Sequence, residues 1–221
     1  MSAAFAPTGP ETEPLIEAAA FVLSLRARGI ADLSLLRAME TVRREVFAPR
    51  RYSDLARQDV ALPLPCGETM TAPTTVAVML AALGVRHDHR VLEVGTGSGY
   101  VTALMIALGG LVRSVERKEV LLDSARQRLR AVGLADNCAL SCADGLAADE
   151  GGTRFERIML NGAFEARGVP ATVTSRLAVG GRLVAGMSIG PGSIQLLVVE
   201  RGEGGELVSR LGAKIRLSRF S

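Results

Sequence analysis

Apolar positions between Pro14 and about Ala48 recur at helical spacing. Leu15, Ala18, Ala19, Val22 and Leu25 follow the i, i+3, i+4 order, and Gly29 suits the residue just past a helix end. Asp32 is a natural N-cap for a second helix carrying Leu35, Leu36, Met39 and Val42, which Pro49 closes. From Arg50 to Thr71 no period is sustained, and Pro63, Pro65 and Gly67 punctuate the stretch. A structureless run of that length inside a compact domain points to function or to a missed element. Function is the reading adopted. Pro73 suits the first turn of a helix over roughly 74–83.

From Arg90 onward the pattern becomes an alternation of short apolar runs and helical segments. Strands are expected over 91–94, 111–115, 138–142, 157–160, 182–187, 194–200 and 207–216. Helices are expected over 100–108, 118–132 and 170–177, the second stopped by Gly133 and the third by Gly180 and Gly181. Buried apolar strands joined by helices predict a mostly parallel sheet covered on both faces. The last two strands are parted only by a Gly-rich turn over 202–205, which makes them antiparallel. One reversed strand is therefore expected near the far edge.

Composition removes several function classes. The chain has 221 residues, with 26 Lys and Arg against 23 Asp and Glu, a net charge of +3. A surplus of three is too small for a nucleic-acid footprint, so no nucleic-acid partner is expected. Three cysteines make no disulfide framework, and with only His87 and His89 to help they predict no metal site. The longest apolar run, 76–85, is about half a membrane span. The first fourteen residues hold Pro7, Pro10 and Pro14 and no apolar stretch, which reads as a loose tail and not a signal peptide. No membrane partner and a cytoplasmic location follow as expectations; the oligomeric state is not legible.

The chemistry concentrates in Glu93-Val94-Gly95-Thr96-Gly97-Ser98-Gly99, where the first strand meets a helix. Glycines there let backbone approach a ligand, and a helix N-terminus favours an anionic group. Glu116 closes the next strand, 21 residues after Gly95, the place for a carboxylate that grips ribose hydroxyls. The loop has no Lys, so a P-loop fails, and its G-x-G-x-G spacing differs from the dinucleotide fingerprint. By itself such a loop also serves a tight turn or a nicotinamide site. With Glu93 two residues ahead of the first glycine, it resembles motif I of class I S-adenosylmethionine-dependent methyltransferases. Asp144-Gly145 after the third strand supports that resemblance.

The resemblance extends to protein-L-isoaspartate O-methyltransferases along nearly the whole chain after about residue 20. Arg28-Gly29-Ile30-Ala31-Asp32, Leu36-Arg37-Ala38-Met39 and Arg44-Glu45-Val46-Phe47 are similar to that family's N-terminal helices. Tyr52, Asp59, Leu62-Pro63 and Gly67-Glu68-Thr69-Met70-Thr71-Ala72-Pro73 resemble its substrate loop, and Ser114-Val115-Glu116-Arg117 its second strand. Gly180-Gly181-Arg182-Leu183-Val184, followed by Gln195, is similar to its later sheet. The resemblance implies an α/β, Rossmann-like class I methyltransferase fold. Its seven-stranded, mostly parallel sheet would have one antiparallel strand, helices on both faces and a helical N-terminal extension. Residues 1–14 would be a flexible tail and 15–221 a single domain, divided into extension and substrate loop (15–73) and core (74–221). The implied cofactor is S-adenosyl-L-methionine, and the implied partners are damaged proteins or peptides bearing isoaspartate.

Carried over by position, Thr71 stands where the family has its active-site Ser. Met70, Glu93, Gly95, Thr96, Gly97, Gly99, Glu116, Arg117, Asp144, Gly145 and Gln195 would hold the donor; Thr69, Ala72, Pro73 and Asn161 would meet the acceptor. Four places depart from the pattern: Thr71 for Ser, Pro65 where Gly is common, Arg43 for Pro, and Asn161-Gly162-Ala163-Phe164-Glu165 where the family has Thr-Ala-Ala. Residues 215–220 are also off pattern. A carboxylate acceptor is ionised at neutral pH, so the reaction asks for alignment and not for a general base. Two alternatives stand beside the repair enzyme: a related methyltransferase with another acceptor, and a donor-binding homologue without turnover.

Overall fold

The computed structural model describes residues 13–147, 151–165 and 168–220. All of the expected tail except residues 13 and 14 lies outside them; those two residues open the first helix. Helices α1 (Glu13–Ala27), α2 (Leu33–Thr41) and α3 (Arg44–Phe47) lead to a hairpin of β1 (Leu62–Pro63) and β2 (Thr69–Met70). Then come α4 (Pro73–Leu83), β3 (Arg90–Val94), α5 (Tyr100–Ala107), β4 (Leu111–Glu116), α6 (Glu119–Ala131) and β5 (Cys138–Cys142). The chain continues with β6 (Phe155–Phe164), α7 (Ala171–Thr174), β7 (Leu177–Gly190), β8 (Ser193–Arg201) and β9 (Leu207–Ile215).

Seven strands form one sheet in the order β5-β4-β3-β6-β7-β8-β9. Strands β3 to β7 pair in parallel, while β8 is antiparallel to both β7 and β9. The expected reversed strand is thus β8, one place in from the edge. One face packs Val91, Val112, Met159, Val184 and Val198 against the N-terminal helices and α4 to α6. The other packs Leu92, Ile158, Leu160, Leu183 and Leu197 against Val173 of α7 and Leu146. Strand order reverses between β4 and β6, on either side of β3, and a crevice opens beyond the carboxyl ends of strands at such a switch point.

Several elements differ from the periodicity. The expected second helix is broken: Asp32 Oδ1 accepts from Leu35 N at 3.0 Å as a cap, but Val42 and Arg43 are extended. The break lets Arg44 and Phe47 turn inward, both nearly inaccessible. The buried stripe of α1 is Phe21 and Leu25, with Ala18 and Val22 at its margin and Ala19 exposed. The helix expected over 170–177 is only α7, because Leu177 already pairs with Phe155 as a strand residue. Gly180 and Gly181 sit in a bulge of β7, between Leu177 and Arg182, and do not end a helix. Strand β6 runs past the apolar core as far as Phe164, with a second bulge between Met159 and Ala163.

The stretch over 50–71 is ordered by a buried cation. Arg44 Nη1 donates to Ala56 O at 2.6 Å, and its Nη2 donates to Val60 O at 3.0 Å and Thr71 O at 3.2 Å. Burial lowers its pKa to about 10, which leaves the guanidinium charged at neutral pH. Local periodicity could not reveal this loop because its carbonyls are satisfied by a side chain from α3. Substituting Arg44→Leu strands three carbonyls. It should destabilise the protein by about 3–5 kcal/mol in equilibrium denaturation.

Candidate functional site

The crevice is a cleft of about 890 Å³, solvent at its mouth included. Its floor is the β3–α5 loop, whose glycines Gly95, Gly97 and Gly99 have φ of 91°, 55° and 85°. Only glycine adopts these angles without strain. Gly95 N donates to Val115 O at 2.8 Å, and Gly97 N donates to Glu116 Oε2 at 3.0 Å. Glu116 Oε1 accepts from Lys118 N at 3.0 Å. The carboxylate at the end of β4 is therefore oriented by two backbone N–H groups. Gly97 N–H is taken by the Glu116 carboxylate.

Glu93 lies beneath this floor, fully buried. Its Oε2 accepts from Ser114 Oγ at 2.6 Å and from Thr102 Oγ1; its Oε1 accepts from Asn161 Nδ2 at 2.8 Å. Asn161 Nδ2 also donates to Gly95 O at 2.9 Å. The hydroxyls of Thr96 and Ser114 lie 2.6 Å apart. Glu93 thus ties β4, β6 and α5 to the loop. The bulge in β6 aims Asn161 at it, a common use of bulges beside active sites.

Among the expected site residues, Thr69, Met70, Thr71, Gly95, Thr96, Gly97, Glu116, Arg117, Asp144, Gly145 and Asn161 line the cleft together. Five expected residues do not. Glu93 is covered by Asn161 and acts through it. Gly99 caps α5, and a Cβ there would stand 3.2 Å from Ala125 Cβ on α6. Ala72 and Pro73 are buried at the start of α4. Gln195 pairs with Met187 and Lys214 inside the sheet, and the wall on that side is made by Arg219 and Phe220 instead.

Other lining residues escaped sequence reasoning. Val76, Val94, Tyr100, Val101, Val115 and Leu146 give the cleft its apolar surface. Val94 and Val115 could have been found as the last apolar residues of their strands. Arg219 and Phe220 carry no periodic signal, because only the path of the chain brings them there. Asp144 stands exposed at the rim, its Oδ1 accepting from Leu146 N at 2.9 Å. Thr71 is half-buried and is not the cap of α4: Ala72 holds that position, and Asp59 Oδ1 accepts from Thr74 N at 2.9 Å. Glu68 pairs with Lys118, whose Nζ also donates to Cys66 O at 3.1 Å, fastening the hairpin tip to the start of α6.

Burial pushes the Glu93 carboxyl up to about 7, against the lowering effect of its Ser114, Thr102 and Asn161 hydrogen bonds. An acid raised in the folded state stabilises most below its unfolded value, near 4.5, and that contribution is lost as pH rises through 7. The wild type should therefore lose roughly 1–3 kcal/mol relative to Glu93→Gln between pH 5 and pH 8, measured by urea denaturation of both proteins.

The model of the protein-L-isoaspartate(D-aspartate) O-methyltransferase family matches residues 17–217. A protein-L-isoaspartate O-methyltransferase of Rhodopseudomonas palustris strain BisB18 is 42% identical over 185 residues, 84% of this chain and 82% of that protein. The corresponding protein of Nitrobacter winogradskyi is 39% identical over 202 residues, 91% and 92% of the two chains. In fold, the chain is similar to a Plasmodium falciparum protein described as a protein-L-isoaspartate O-methyltransferase and crystallised with S-adenosyl-L-homocysteine. The TM-score is 0.80 at 20% identity, covering 91% of this chain and 97% of that one. A family model spanning nearly all of the described chain, together with relatives near 40% identity over most of their length, settles the matter: this chain belongs to the protein-L-isoaspartate(D-aspartate) O-methyltransferase family.

Proposed function

We propose that the cleft binds S-adenosyl-L-methionine and directs its methyl group to the carboxylate of an L-isoaspartyl residue in a damaged protein, the first step in that residue's repair. The observation that carries the reading is a single cleft shared by two strand-end acidic residues, Glu116 and Asp144, and the loop of Thr69 to Thr71. The residues fit the donor. Val94, Val115 and Leu146 offer apolar surface to a purine, and Glu116 is already oriented to accept from ribose hydroxyls. Gly145 has no room for a side chain, since a Cβ would stand 2.6 Å from Val94 Cγ1, so backbone alone forms the wall there.

When bound, the donor supplies a methyl carbon activated by its sulfonium. The chain's part is to hold an acceptor oxygen in line with that carbon and to keep water out. Orientation of this kind is worth roughly 7–11 kcal/mol. The acceptor carboxylate is ionised at neutral pH and needs no base. We assign the Thr71 hydroxyl the role of orienting the acceptor. Asp59 serves Thr74 N at the start of α4, and Arg44 holds the Thr71 carbonyl, so the residue is fixed without using its side chain. Arg117 stands at the ribose edge, while Glu93 and Gly99 support the loop from below.

Three free cysteines among the described residues suit a reducing compartment, and no described helix is long and apolar enough to cross a membrane. Cytoplasmic repair is the reading we take.

The test is transfer of label from S-adenosyl-L-methionine to an isoaspartyl peptide, with the matching aspartyl peptide as control. Base-labile label on the isoaspartyl peptide alone is expected. No label from folded protein would turn the search to other acceptors. Thr71→Ala should lower kcat roughly 10- to 100-fold while leaving donor affinity near wild type, the size of one hydrogen bond to a charged group. Donor affinity that collapses in this variant would overturn the assignment.

A further inference from the structure

The end of β6 and residues 218–220 form one unit in space. Ala163 N donates to Ser218 O at 2.8 Å and Phe220 N donates to Ala163 O at 3.1 Å, so the later stretch runs parallel beside the end of β6. A Cβ on Gly162 would stand 2.4 Å from Phe220 Cδ2, so glycine at 162 is what admits the ring. Phe220 in turn packs on Phe164, with centroids 4.8 Å apart. The Ser218 and Thr69 hydroxyls share a hydrogen bond of 2.7 Å, which brings the unit against the loop that carries Thr71.

This arrangement sets a guanidinium at the cleft. Arg219 lines it together with Thr69, Thr71 and Asn161. Arg219 Nη1 lies 3.0 Å from Glu165 Oε1, with side chains 62% and 64% exposed. An ion pair that open to water is weakly held, and its partner exchanges readily for another carboxylate. The planar fork of Arg suits a carboxylate presented by a bound peptide.

We propose that Arg219 selects the acceptor, favouring isoaspartyl peptides with an acidic side chain next to the isoaspartate, whose carboxylate displaces Glu165 from the guanidinium. The proposal rests on the reading of the cleft as an isoaspartyl methyltransferase site. Glu165 is then an internal competitor that covers the cation until such a peptide arrives.

The experiment measures kcat/KM on isoaspartyl peptides identical except for Glu, Gln or Lys on either side of the isoaspartate. The wild type should favour Glu over Gln about five- to tenfold at low ionic strength and disfavour Lys, with the ratios shrinking toward one as salt rises. Arg219→Gln should bring the Glu-to-Gln ratio toward one, and Glu165→Gln should raise it above wild type. Each ratio is taken within one protein, so a general loss of activity does not move it. Equal rates on Glu and Gln peptides in the wild type, or a wild-type ratio retained in Arg219→Gln, would overturn the proposal and leave the repair reading intact. Failure to methylate any isoaspartyl peptide would remove both.

Discussion

A carboxylate with no access to water sits under the glycine loop, and the geometry of the cleft depends on how it is satisfied. An isolated buried charge is costly, and the cost is met here by donors from three different elements. Thr102 comes from α5, Ser114 from β4 and Asn161 from the bulge of β6. Each donor must arrive at its place for Glu93 to be tolerated. The demand is therefore also a specification: it sets how α5 and the neighbouring strands meet, and with them the path of the loop. Asn161 passes the constraint upward through Gly95 O. Glu116 completes it from the side by taking Gly97 N–H.

The helical extension is held by a charge of opposite sign and similar logic. Among the described residues no carboxylate is hydrogen-bonded to the buried Arg44, and its positive charge is spent on three carbonyls of a stretch built from two short 3-10 helices and a small hairpin. The hairpin tip is fastened separately by Lys118. The loop carrying Thr71 is thus held at its base from α3 and at its tip from α6. Parts of the chain far apart in sequence meet there because single side chains reach across.

The legibility of the sequence followed the range of the interactions involved. Strands β3, β4 and β5 were readable almost to the residue, since a short apolar run between turns is a local signal. The glycine loop, Glu116 and Asp144 were readable because each lies at or just past the end of a strand, β3, β4 and β5. The bulges of β6 and β7 were not. Asn161-Gly162 lacks apolar character, and Gly180-Gly181 carries the same punctuation as a helix stop. The break at Val42 and the ordering of 50–71 depend on Arg44, which no periodicity reveals. Gln195, expected at the donor, does not line the cleft, whereas Arg219 and Phe220, which arrive from beyond the last strand, do. The hydrogen bond from Thr74 N at the start of α4 to Asp59 Oδ1 was likewise invisible.

The contact between Thr69 and Ser218 closes a loop of 149 residues. Contacts of such separation form late, because most of the chain must be ordered before their entropy cost is repaid. The glycine-loop side of the cleft needs residues up to Asn161, whereas the opposite wall waits for 218–220. On the ribosome the two halves of the cleft therefore mature at different times. A nascent chain can present the glycine loop before the wall of residues 218–220 that faces it across the cleft exists.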